Sequence, residues 1–238
     1  MVFARSIDGR KLTFGVSGKL IMNAVVMYDH QTDTLWSQFL MEAVEGPLVG
    51  HRMELISSQL TTWEAWKAQH PDTLALDKRG LRGSGSSDPY DSYYASGRAG
   101  ILGESNKDGR LDSKEFVVGL DNGRVQRAYP FRHLSKTPVL NETYDGAAIA
   151  VGFDTESAAT AVFSREGRGT TLTFDPLDER RGGEPLMRDR ETGTTWGRLS
   201  GAALDGELQG AELVSVPSFQ NFWFAWSDFH PDSQLYEP

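Results

Sequence analysis

The 238-residue chain combines 39% hydrophobic residues with 25 glycines and 11% aromatics, which suits a β-rich globular protein long enough to bury a proper core. Its net charge of −9, with no run of Lys or Arg, argues against nucleic acid or an anionic membrane as partner. The absence of cysteine excludes disulfides, thiol nucleophiles and Cys-ligated zinc, and no apolar run approaches the length of a membrane helix.

The first residues, Met1 to Asp8, contain no signal-peptide core. Val2–Arg5 and Leu12–Phe14 read as strands around the turn Ile7-Asp8-Gly9. Both recur 160 residues later, as Val162–Arg165 and Leu172–Phe174. Met27–Trp36 is matched at the same offset by Met187–Trp196, and each reads as strand, turn, strand. Asp29 and Asp189 are placed to accept backbone N–H groups two or three residues on, which fixes such a turn. A duplicated catalytic or metal-binding carboxylate is the functional alternative for the same pair. Gly46-Pro47-Leu48-Val49-Gly50 and Gly206-Glu207-Leu208-Gln209-Gly210 alternate with period two and read as a strand with a close backbone approach. Their spacing matches neither a P-loop nor a dinucleotide fingerprint.

The strongest recurrence is Trp63-x-Ala65-Trp66 with His70-Pro71-Asp72, repeated as Trp223-x-Ala225-Trp226 with His230-Pro231-Asp232 (223 − 63 = 230 − 70 = 160). A recurrence at one offset is the mark of duplication. Trp63, Trp66 and His70 share one face of a helix of about two turns, which Thr61 and Glu64 cap and Pro71 ends. The structural reading has both Trp pairs mostly buried against a sheet, with the His closing the contact. The functional readings are an aromatic platform for a flat ligand, or a metal site. One His per repeat is too few for a metal unless the repeats face each other.

Residues from about Leu76 to Asp112 have no counterpart, and Arg79–Pro89 has loop composition. Loops of this length are functional or mobile. Within this stretch, Glu104, Asn106, Asp108, Asp112 and Glu115, with the Arg110 carbonyl, follow the oxygen spacing of a calcium loop, and Gly109 sits at the sharp turn. Against calcium, the first ligand is Glu rather than Asp, and Phe116 onward reads as a strand rather than a helix. A polar turn leading into a strand explains the same residues. Phe116–Gly119, Gln126–Pro130 and Ala147–Phe153 then read as strands, with turns at Asp121-Asn122-Gly123 and Asp145-Gly146. His133 has no nucleophile or acid cluster beside it.

Leu12–Leu20, Val26–Asp29, Thr34–Gln38, Gly46–Gly50, Ala128–Pro130 and the two Trp-x-x-Trp segments together resemble the family catalogued as domain of unknown function 3179. The resemblance implies a duplicated, β-rich and often exported or cell-envelope protein, and it carries no catalytic residues. It also implies a Cys-Pro-x-Cys segment in the first repeat. That register falls on Asp154–Ser157 in the second repeat and ahead of Met1 in the first. The first-repeat counterpart of Phe116–Ala161 is therefore expected to be missing, either by truncation or in a reduced variant.

The expected architecture is mainly β (α+β): two pseudo-symmetric β-rich repeats, each ending in a short Trp-bearing helix. Residues 1–76 form the incomplete first repeat, 77–111 a loop or linker, and 112–238 the second, in one compact unit. The expected function is a non-catalytic ligand-binding or structural module, with no nucleic-acid partner and no membrane span. A metal-dependent enzyme using the duplicated His and Asp residues at the repeat interface is the alternative.

Overall fold

The computed structural model describes residues 1–75, 77, 90–167 and 169–238, so the Arg79–Pro89 part of the expected loop lies outside the described residues. The chain is mainly β, with 41% strand against 10% helix. Four antiparallel strands, Phe14–Ile21, Ala24–Asp29, Leu35–Ser37 and Glu42–Glu45, form a first meander. A second is built from Phe174–Arg181, Glu184–Asp189, Thr195–Gly197 and Ala203–Asp205. Phe14 faces Asp29 in the first and Phe174 faces Asp189 in the second, and both ladders slip register at equivalent places, Val16/Leu20 and Pro176/Arg180.

One buried bond organises each meander. The Asp29 carboxylate accepts from the Thr32 amide at 2.6 Å and from Trp36 Nε1 at 3.0 Å. The corresponding distances at Asp189, from Thr192 and Trp196, are 2.6 and 2.8 Å. Both indoles and both carboxylates are buried. Burial raises the Asp29 pKa, but the hydrogen bonds from Trp36 and Thr32 outweigh it and leave the group below its ordinary value. Around these bonds the two cores use matching positions: Leu12, Trp36, Ala43, Leu48 and Met53 in one, and Leu172, Trp196, Ala203, Leu208 and Leu213 in the other.

The Gly46–Gly50 stretch is a turn rather than the expected strand. Gly46 has φ +109°, and a Cβ there would lie 2.9 Å from Thr34 Cα, so the chain doubles back where only glycine fits. Gly206 does the same over Thr194. Period-two glycines suit such a turn as well as they suit a strand.

Residues 116–164 supply the strands of two further sheets. A sheet runs in the order Phe219–Phe222, Phe116–Asp121, Gln126–Pro130, Gln234–Leu235. A second consists of Val139–Tyr144, Ala147–Phe153 and Thr160–Ser164. Strand alternation sends Val118 and Leu120 into a core shared with Ile149, Val151 and Phe153, and sends Val117 toward Trp223 and Trp226.

The turn after Phe153 is tied to the second meander. Asp154 receives Arg180 through two bonds of 2.9 and 3.0 Å, and Ser157 Oγ at 2.7 Å. Burial raises the Asp154 pKa, but these bonds dominate and hold it at about 2. A carboxylate lowered in this way stabilises the fold above its unfolded pKa of about 3.9, and the contribution, on the order of 2 kcal/mol, is lost as pH falls through about 2. Asp154→Asn is expected to lower stability at pH 7, with the gap to wild type closing between about pH 4 and pH 2 in denaturant titrations. A gap independent of pH would contradict this role.

Candidate functional site

The recurring Trp motif forms a seven-residue helix at both places and is buried at only one. The helices among the described residues are α1 (Trp63–Gln69), α2 (Asp91–Ala95), α3 (Phe131–Leu134) and α4 (Trp223–Phe229), and the motif lies on α1 and α4. Trp66 Nε1 donates to Thr73 Oγ1 at 3.0 Å, and Trp226 Nε1 donates to Ser233 Oγ at 2.9 Å. The His rings lie 4.0 and 4.4 Å from the inner Trp rings. Yet Trp63 is 56% and Trp66 38% exposed, against 1% for Trp223 and 0% for Trp226. The expectation that both pairs are buried therefore fails for the first. Helix α1 touches the second meander through Ala68 and Gly183, and its two indoles stay exposed. The first-turn cap also differs: Thr62, not Thr61, accepts the Ala65 amide.

Around α4 that cover is complete. A Cβ on Gly119 would fall 2.0 Å from the Trp226 ring, so the indole lies directly on the strand backbone. Phe39 of the first half stacks on Phe229 at 4.3 Å and approaches His230 at 5.7 Å. His230 is half-buried, with Asp121 at 3.8 Å; burial lowers its pKa more than Asp121 raises it.

Of the residues expected to bind calcium, Asn106, Asp108, Arg110 and Glu115 contact α4 or the residues that follow it. The Glu115 carbonyl accepts the Trp223 amide, and its carboxylate pairs with Arg132 at 3.3 Å. The Asp108 carbonyl accepts Trp223 Nε1, while its carboxylate binds Arg110, whose hydrogen bonds hold it below its ordinary pKa. Arg110 also donates to the Ser233 carbonyl and lies over the Trp223 ring. Asn106 donates to the Ser227 carbonyl, Asp112 is exposed, and Glu104 is partly buried. Among the described residues no three His, Asp or Glu side chains gather as a metal would require. Asp29 and Asp189, closed inside their own turns, do not meet either His.

The exposed copy of the motif borders a cleft of about 670 Å³ between the halves. One wall is Ser57–Gln59 with Trp66, Gln69 and His70. The other comes from the second meander, with Arg181, Glu184 and Ser200. Helix α1 is seated there by Ala68 against Gly183: a Cβ on that glycine would lie 2.5 Å from the alanine's. Gln59 Nε2 reaches the Leu199 carbonyl at 2.6 Å. Glu184 is fixed by the amides of Leu199 and Ser200 at 2.8 and 2.5 Å and by Ser200 Oγ at 3.0 Å. The cleft thus presents one exposed indole, a fixed carboxylate, several hydroxyls and a guanidinium at the rim.

Arg181, Glu184 and Ser200 carry no motif. The signal that could have found them is divergence between copies, since the residues 160 positions earlier are Ile21, Ala24 and Leu40.

The family described as protein of unknown function, DUF3179, matches residues 1–233. The chain belongs to this family. No curated protein and no solved structure matches it. No helix among the described residues is long and apolar enough to cross a membrane.

The two settings of one motif make a direct comparison. Trp223→Ala is expected to cost about 3–5 kcal/mol, as for a fully buried aromatic. Trp63→Ala should stay within about 0.5 kcal/mol of wild type, as for a surface site. Equal losses in urea unfolding would show that α1 is covered after all.

Proposed function

We propose that this DUF3179 protein is a binding module made of two repeats of one unit, offset by 160 residues, with its ligand in the cleft between α1 and the second meander. The contrast between copies supports this reading most. Where the first half carries Ala24 beside an apolar core, the second carries Glu184, held by three hydrogen bonds and lining open space. Polar groups pre-set by their neighbours, beside an exposed aromatic ring, are the usual make-up of a small-molecule or peptide site. The volume lies within the range of such sites, about 300–1,000 Å³. A polar ligand with one flat or apolar face fits: Trp66 takes the face, and Gln59, Ser200 and Arg181 meet its donors and acceptors.

A thermal-shift panel of neutral oligosaccharides, nucleosides and capped peptides tests this. At least one class is expected to raise Tm in the wild type and to lose that effect in Trp66→Ala. If no class shifts Tm, or if the shift survives in Trp66→Ala, the cleft is not the site.

A further inference from the structure

Residues 219–222 and their counterparts 59–62 differ in one respect that bears on the ligand. The Phe219–Phe222 strand pairs antiparallel with Phe116–Asp121, with Phe219 opposite Gly119 and Phe222 opposite Phe116. Helix α4 follows at once and lays Trp226 over Gly119. In the first half residues 57–62 lead into α1 outside any strand, and no strand among the described residues pairs with them. The amide and carbonyl groups of Gln59, Leu60 and Thr61 have no partner among the described residues. The Thr61 hydroxyl is buried and also unpartnered. Gln59 lines the cleft, while Leu60, Thr61 and Thr62 line a second pocket with Phe116, Phe131 and Gln220. Unpaired backbone of this kind is a template for another strand, and buried polar groups carry a cost until they are bonded.

We propose that the cleft takes an extended polypeptide strand, added antiparallel to residues 59–62, with a glycine beneath Trp66. This rests on the two-repeat reading and on the cleft assigned above. Backbone hydrogen bonds to residues 59–61 supply affinity in the manner of β-strand addition, and the alternate side chains supply selectivity. The glycine follows from the α4 copy, in which the indole leaves no room for a Cβ.

The protein's own strand supplies the probe. A capped peptide with the sequence of residues 115–122 and its Gly→Val variant are titrated into the intact chain by calorimetry, with Trp66→Ala in parallel. Saturable one-to-one binding that weakens at least tenfold with the Gly→Val peptide and with Trp66→Ala supports the proposal. Equal binding of both peptides, or binding indifferent to Trp66→Ala, overturns it. Absence of peptide binding at millimolar concentration also overturns it, while an oligosaccharide or nucleoside acting through Trp66 would leave the cleft assignment standing. A dimer in sedimentation velocity that the peptide does not dissociate would give the edge to a second copy and equally overturn the proposal.

Discussion

Trp226 lying on the backbone of Gly119 is the contact from which the second half is arranged. It requires a strand without a side chain at that point, a helix entering directly from the neighbouring strand, and an aromatic partner, Phe39, brought from the first half. The segment from Asn106 to Glu115 then closes over the helix with carbonyls, an amide and a guanidinium. A fully buried Trp contributes several kcal/mol relative to a small residue, so this assembly is a large share of a marginal total. Helix α1 carries Trp, Ala and Trp at the same spacing, and no strand pairs with the residues before it among the described residues. Its indoles are left for other contacts, and the cleft lies beside them.

The meanders depend on a different interaction, the buried Asp–Trp bond, which is self-contained. Each carboxylate is satisfied by its own turn and by an indole seven residues on. Each of these turns is closed by groups no more than seven positions from the carboxylate.

That division also marks what could be read from the residues alone. The meander turns were legible because Asp29, Thr32 and Trp36 interact within a few positions, and their repetition at 189, 192 and 196 made the pattern plain. The faces of both helices were legible from Trp spacing. Whether a face is covered depends on residues 116–130, far away in sequence, and no local pattern carries that. The spacing of Asn106, Asp108 and Glu115 was legible as a calcium loop, whereas their contacts with distant α4 and with Arg110 and Arg132 were not. Period-two glycines at 46 and 50 fitted a strand until the positive φ of Gly46 placed them in a turn. The cleft residues were the least legible, since Glu184 and Ser200 stand out only when set against Ala24 and Leu40.

The account turns on a strand edge that is paired in one half and open in the other. Hydrogen exchange on the intact protein measures this directly. The amides of Gln59, Leu60 and Thr61 are predicted to exchange close to unprotected rates. Within Phe219–Phe222, the amides that donate to Phe116–Asp121 should exchange orders of magnitude more slowly. Comparable protection in the two segments, with no ligand added, would contradict the open edge and the functional reading built on it.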